Sequence, residues 1–481
     1  MPAHWLEAYV VLAGIVLLML EAFLPQKEKF LIACLGIGAL IFGLLLLFLA
    51  EAPENNDEMA RFYAFDAQAK FFKGFTLLAG ILALILCLDY RRVLAKFTAN
   101  PDSEDSTGEY YCLILFACAG MMWMASAKDL ISLFVSLELT TITLYILVAY
   151  MRRNVGSLEA GVKFLILGAL STGFLVYGIS WLYGATGTTS LAEIGLRIST
   201  VNSTYLLFGL SLILISLAFK IGAVPMHLWI PDVYQGAPTP TTAFLSVASK
   251  ASGFAVALRV LEPFFLHELT AAKTTFIVAV LAGATILLGN LAALPQTNFK
   301  RLLAYSSIAN AGFILLGIAS WNNSGELSAF QITGFYLSVY LLMTFAAFFI
   351  LAAVHRDSGS DEIAAFEGLS TRNPALALMT TVVVGALAGL PLTAGFFGKL
   401  FAFQGAVSAD LWLPIILGFV GVAAGFYYYF QIIRAMYWRK SLDTSDLRVR
   451  PLSFYVIATL TILIVILGIF PQPIHWFLGA Q

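Results

Sequence analysis

The sequence predicts an all-α polytopic membrane protein of about fourteen transmembrane helices, at the ~20 residues each needs to cross a bilayer. Three observations predict it. Apolar residues make up 60% of the 481 positions. Charged residues make up only 11%, against about 25% in soluble domains. The apolar residues also run on without interruption, rather than alternating as in a membrane β-barrel.

The runs follow in order. Spans at 4–24, 30–50 and 71–89 form an N-terminal group within residues 1–108. Spans at 109–127, 129–150, 158–183, 204–230 and 240–265 form a block over 109–265. Spans at 274–294, 300–321, 326–354, 374–407 and 412–438 form another over 274–438, and a last span at 451–471 lies in the C-terminal block 451–481. Two runs are broken. In LAFKIGAVPMHLWIPD, Pro225 cannot donate to the Ile221 carbonyl and its ring clashes there, while Gly222 loosens the same turn. In AGLPLTAGFFGK, Pro391 frees the Leu387 carbonyl, with Gly389, Gly395 and Gly398 nearby. Inside a membrane such breaks are tolerated only against protein or water.

Orientation follows from the basic residues. The first of them, Lys27 and Lys29, come after the first span, the wrong polarity for a cleaved signal peptide. With the N-terminus outside, the inside connections hold Lys27, Lys29, Arg91, Arg92, Lys96, Arg152, Arg153, Lys300, Arg301, Arg356, Arg372, Arg434, Arg439, Lys440, Arg448 and Arg450. The outside ones hold only Arg61, Lys70, Lys73, Lys128, Arg197 and Lys273. This bias predicts both termini outside. The acidic connection with Glu51, Glu54, Asp57 and Glu58 then also falls outside.

Several function classes are disfavoured. A net charge of -1 leaves no basic excess for nucleic acid. Cys34, Cys87, Cys112 and Cys118 lie within apolar runs without C-x-x-C spacing and read as small core residues. No dinucleotide fingerprint, P-loop, metal motif or cysteine ladder for an iron–sulfur cluster is present. No cofactor is expected in this chain.

The charges singled out within the spans are Glu138, Lys163, Lys220, Lys250, Arg259 and Lys399. Each costs about 3 kcal/mol near the bilayer centre, so each needs a partner or a function. Glu138, in SLFVSLELTTITL, falls near the middle of its span; a structural hydrogen bond is its plain alternative. Lys220 and Lys399 lie close to the two breaks, where holding a kink is the plain alternative. Lys250 shares a narrow polar stripe with Ser246, Ser249 and Gly253. Lys163 follows Glu159 at a spacing that favours a surface ion pair, and Arg259 precedes Glu262 at a spacing that favours another. Free lysine titrates near ~10.4. Burial disfavours its charged form and a nearby carboxylate favours it, so a Glu–Lys contact that is made and broken can move a proton. Glu138 is therefore expected to set the state of Lys220, with polar side chains and water joining the stations.

HLWIPDVYQGAPTPTTAFLSVASK, from His227 to Lys250, resembles the antiporter-like membrane subunits of respiratory NADH:quinone oxidoreductase (complex I), and among them the N type. SLEAGVKFLILGALSTG, NLAALPQTNFKRLLAYSSIANAGF and GLPLTAGFFGK carry the same resemblance, which spans nearly the whole chain. L-type chains continue into a long lateral helix, and M-type chains typically carry glutamate where this sequence has Lys399. The resemblance implies two inverted repeats, helices 4–8 and 9–13. It implies a proton path through Glu138, Lys220, Lys250 and Lys399, with Lys163 accessory. Glu138–Lys220 would couple to neighbours, Lys250 would be the central relay and Lys399 would serve the far half-channel. K-type and M-type subunits and lipids are the implied neighbours, with flavin, iron–sulfur clusters and quinone in partner subunits. The implied location is a bacterial inner membrane.

One departure stands out. The family often carries histidine where this chain has Asn310, which cannot titrate near neutral pH. Ser306, Ser307 and Asn310 share a helical face and are expected to hold water between Lys250 and Lys399. The competing reading is a stand-alone cation/proton antiporter, disfavoured because a lysine-rich relay repels metal cations. A purely structural subunit would leave four costly charges without a function.

Overall fold

The structure is a computed structural model that describes residues 1–25, 28–53, 58–98, 107–322, 324–440 and 445–479. Lys27, Glu54 and Asp57, used above for orientation, lie outside the described residues. The helices are α1 (Trp5–Phe23), α2 (Phe30–Leu49), α3 (Ala67–Lys96), α4 (Gly108–Ser126), α5 (Leu130–Val148), α6 (Val155–Thr186) and α7 (Leu191–Arg197). There follow α8 (Ser203–Ile221), α9 (Trp229–Gly236), α10 (Thr239–Phe244), α11 (Lys250–Leu266), α12 (Glu268–Ala293), α13 (Phe299–Ala319) and α14 (Ala329–Ser358). The last are α15 (Leu369–Arg372), α16 (Pro374–Ala388), α17 (Ala394–Ser408), α18 (Trp412–Trp438), α19 (Pro451–Ile469) and α20 (Gln472–Phe477).

Among the described residues, 13 helical stretches are long and apolar enough to cross a membrane. The span expected at 374–407 is the pair α16 and α17, each too short alone. Apart from α12, which begins at Glu268 rather than near 274, the remaining spans match the apolar runs within a few residues, with two exceptions. The run expected to end near residue 230 stops at Ile221, and α3 extends well beyond 71–89 at both ends. The N-terminal extension of α3 follows from its cap: Asp66 accepts the Ala69 amide at 2.8 Å, so the helix starts at the cap and not at the first apolar cluster.

The helices present apolar side chains outward, as lipid demands. Phe23, Phe48, Leu49 and Phe276 are exposed, as are Trp412, Tyr427 and Tyr455. Inward, the chain forms two compact units. The first comprises residues 1–229 and 236–277, the second residues 230–235 and 278–481. In the first, α10 and α11 are buried along nearly their whole length. In the second, α13 and α14 take that place. A stretch buried on all sides has no lipid-facing stripe, so it tolerates the polar residues that these helices carry.

Arg259 corrects the expectation of a local pair with Glu262. Its guanidinium forks onto Asp66 at 2.8 and 3.0 Å, and its Nε donates to the Ala125 carbonyl at 2.7 Å. A bidentate fork onto a carboxylate is better geometry than an i,i+3 contact allows. Burial pushes the Asp66 carboxyl up, but the Arg259 hydrogen bond and charge, with the Ala69 amide, bring it below its ordinary value. A fully buried pair lies beside it. Glu7 and Lys73 meet at 2.7 Å, both essentially without exposure, and the Tyr63 hydroxyl donates to Glu7 at 3.1 Å.

Candidate functional site

The first unit brings Glu138, Lys220 and Lys250 onto adjoining helices. Glu138 is half-buried on α5 and opens on a groove of about 1070 Å³ lined by Glu109, Tyr145, Arg152 and Thr172 among others. Its carboxylate accepts the Thr172 hydroxyl at 2.8 Å. Lys220 is buried at the end of α8 and donates to Thr141 at 3.2 Å. Thr141 sits three residues after Glu138, on the same side of α5. Glu138 is thus tied to α6 through Thr172, Lys220 is tied to α5 through Thr141, and the two charges are not in direct contact.

The end of α8 is built for this. Gly222 closes the helix in the left-handed region, φ 78°, which side-chain-bearing residues seldom adopt. The chain therefore leaves the helix at the glycine, before Pro225 is reached. Trp229 donates its indole N–H to the Phe219 carbonyl at 3.0 Å and stacks on Phe164 at 4.6 Å. His227 is buried within the same turn, while Pro225 is exposed. The Ser171 and Ser216 hydroxyls, 3.0 Å apart, join α6 to α8 one turn earlier.

Lys250 is 2% exposed and opens α11 directly after a π-helical turn, Leu245–Ser249. Sequence reasoning missed this turn. It widens the helix upstream of Lys250, so Ser246 and Ser249 leave the α spacing on which the polar stripe rests, and only Gly253 keeps it. Gly253 serves the packing instead. A Cβ there would lie 2.8 Å from Ile221 and 3.2 Å from the Lys220 stem. Its bare backbone lets the helix of Lys250 close against the helix of Lys220. Lys163, by contrast, lies at the surface, 42% exposed and paired with Glu159 at 2.7 Å.

The second unit holds Lys399 at the other break. Gly389 closes α16 with φ 93°, and Leu392 follows with φ 67° before α17 begins. The Lys399 ammonium reaches back to the end of α16. It donates to the Leu387 carbonyl at 3.0 Å and the Ala388 carbonyl at 2.7 Å, and lies 5.4 Å from the Phe313 ring centre. These acceptors are end-of-helix carbonyls with no amide of their own to take.

Ser306, Ser307 and Asn310 are all buried on α13. They meet tyrosines. Ser306 bonds the Tyr429 hydroxyl, and Ser307 lies 3.1 Å from that of Tyr234. The Asn310 amide donates to the Ser306 carbonyl at 2.8 Å and accepts from Tyr336 at 2.8 Å. Sequence reasoning singles out none of these phenols. A polar tip on a large apolar body is invisible to composition, and only its distant partners reveal it.

These features define a class: a polytopic α-helical membrane protein that keeps ionisable amines buried against interrupted helices. Residues 127–425, which include every one of those amines, match the family described as NADH:quinone oxidoreductase/Mrp antiporter, TM. NADH-quinone oxidoreductase subunit N of Heliobacterium modesticaldum is 40% identical, over 97% of this chain and 96% of that one. A chain in the structure of respiratory complex I from Thermus thermophilus superposes with a TM-score of 0.79 at 31% identity, over 97% of each. A chain of the membrane-bound sulfane sulfur reductase, an archaeal respiratory membrane complex, superposes at 0.86 with 25% identity, over 99% of this chain and 96% of that one. The chain belongs to the NADH:quinone oxidoreductase/Mrp antiporter transmembrane family.

Proposed function

We propose that this chain is a proton-translocating subunit in the membrane arm of an NADH:quinone oxidoreductase, moving protons through Glu138, Lys220, Lys250 and Lys399. The observation that carries this reading is shared by both units: a buried lysine at an interrupted helix, Lys220 in one and Lys399 in the other. A buried amine is a proton carrier because its two states differ greatly in solvation, so small changes in its surroundings move the proton. Glu138 supplies such a change. With its carboxylate on Thr172, Lys220 is held by a neutral hydroxyl; a swing toward Lys220 would favour the charged amine. Lys250, on the helix packed against the Lys220 stem, is the next station. Lys399 serves the far half-channel, and Lys163 is an accessory group at the surface.

This chain carries no redox cofactor in this reading. Flavin, iron–sulfur clusters and quinone belong to partner subunits whose chemistry drives the relay. K-type and M-type subunits are its neighbours, with lipids filling the remaining gaps. The groove beside Glu138 gives a neighbour direct access to the first station. The membrane is a bacterial inner membrane, with both termini on the outer side.

The test is made in the intact complex. Tagged chain drawn gently from native membranes should bring NADH:quinone reductase activity with it. In membrane vesicles of that complex, Lys399→Ala should lower protons pumped per NADH oxidised by about a hundredfold, the worth of a proton-transfer group. A chain that purifies alone and exchanges cations for protons in liposomes would favour a stand-alone antiporter instead.

A further inference from the structure

One cluster of ionisable groups in the second unit stands outside the relay. His355 on the last turn of α14, Asp361 in the loop after it, and Lys300 in the first turn of α13 meet at one carboxylate. Asp361 lies 2.7 Å from His355 Nδ1 through one oxygen and 3.2 Å from Lys300 Nζ through the other. Exposure falls along the row, from 19% at His355 and 16% at Asp361 to 4% at Lys300. The backbone fixes the meeting. The Phe299 amide donates to the Asp361 carbonyl at 2.7 Å, and the Ile363 amide to the Thr297 carbonyl at 2.8 Å.

Among the described residues, the other charges around the cluster have partners of their own. Arg301 pairs with Asp232 at 2.8 Å, Arg372 pairs with Asp357, and Glu362 accepts from Asn298 at 3.1 Å. Arg356 donates to the Arg448 carbonyl at 3.0 Å, and Arg439 pairs with Glu367 at 3.0 Å. Burial pushes the Asp361 carboxyl up, but the Lys300 ammonium and the His355 ring hold it well below the carboxylate range. Asp361 is therefore a standing anion between two bases, one facing water and one facing the interior. A structural staple needs one cation; this arrangement has two, at different depths.

What lies beyond Lys300 gives the depth a direction. Ser307 stands two turns along the same helix, about 10 Å inward, with the Tyr234 hydroxyl at 3.1 Å. Ser306 and Asn310 follow with Tyr429 and Tyr336, and then Phe313 beside the Lys399 ammonium.

We propose that His355, Asp361 and Lys300 form the inner-side proton-loading site of the second unit, feeding the polar face of α13 that leads to Lys399. This rests on the relay and the orientation proposed above. His355 takes a proton from water at Nε2. The imidazolium then gives its Nδ1 proton to one Asp361 oxygen, making the neutral acid, and the carboxyl turns to pass that same proton to Lys300 once the lysine has released its own proton inward and stands as the free amine. The carboxylate is an anion before and after; the ring has lost one proton and the amine has gained one. The resulting ammonium discharges inward along the hydroxyls of α13, by way of water, and is ready to be loaded again.

Inverted membrane vesicles of the complex expose this face to the assay buffer. Lys300→Arg keeps the charge and the pairing but does not release a proton, since guanidinium stays charged at any working pH. It should lower protons pumped per NADH oxidised by about tenfold or more. His355→Gln keeps a donor for Asp361 but cannot collect protons. Its deficit should be slight near pH 6 and grow toward about pH 8, where protons are scarce and an imidazole matters most. A normal pumping ratio in Lys300→Arg, or a His355→Gln deficit equal at every pH, overturns the proposal. If His355→Gln does not assemble, Lys300→Arg decides alone. Lys399→Arg in parallel separates the two readings. If it fails while Lys300→Arg pumps normally, the relay stands and the loading site falls; if both pump normally, the relay falls as well.

Discussion

At Lys399 an ammonium satisfies two carbonyls that an unbroken helix would have satisfied with its own amides. The residue that makes this possible is Gly389. Its φ of 93° suits glycine, and a Cβ there would lie 3.0 Å from Lys399 Cδ and 3.3 Å from its nitrogen. Two separate penalties therefore meet at one position. Gly359 supplies the comparison: its φ is 68°, and a Cβ there would meet nothing within 4 Å. Gly359→Ala should cost about 1 kcal/mol, the lower end for backbone strain alone, whereas Gly389→Ala should cost about 3 kcal/mol or more. Thermal inactivation of the complex measures both. Only Gly389→Ala should also lower pumping per NADH, because it displaces the amine itself. Asn310 shows what the sequence could and could not say at this scale. Its polar face, Ser306 included, was legible from spacing; its partner Tyr336 was not, because it lies 26 residues away on another helix.

Among the elements, the apolar runs were readable because a lipid-facing helix has one requirement, met residue by residue, that leaves a continuous trace. The two breaks were readable for a related reason: proline and glycine act locally. What each break did with its freed groups was not local. Trp229 caps Phe219 in one, and Lys399 caps Leu387 in the other. The π turn before Lys250 left no trace at all, since it is a hydrogen-bonding pattern and not a composition. Such a turn is in effect one extra residue in an α-helix. Deleting Val247 should therefore restore regular α geometry with the flanking helices in place. The expected outcome is an assembled complex whose pumping falls by about tenfold, as for a displaced proton-transfer group. Normal pumping would show the turn to be a packing adjustment. Arg259 marks the limit of reading by neighbours: Glu262 was close in sequence, yet Asp66, 193 positions away, holds the fork.

For the whole molecule, the distribution of basic residues sets a prediction that needs no atomic detail. If the C-terminus lies outside, as proposed, alkaline phosphatase fused there should be active in cells, and inactive when fused after Lys440. The reverse pattern would invert the assignment of every connection, including the one that carries His355 and Asp361. The charges inside the protein have a different consequence. The two carbonyls that grip Lys399 are the last of α16, so the charge on one side chain and the way one helix ends are linked quantities. Linkage is reciprocal. Binding a proton stiffens the joint between α16 and α17, and bending that joint changes the hold on the proton by the same free energy. A neighbouring subunit that leans on the joint is therefore titrating the lysine without touching it, and a membrane voltage or a pH step that titrates the lysine is, to the same extent, pushing on the neighbour.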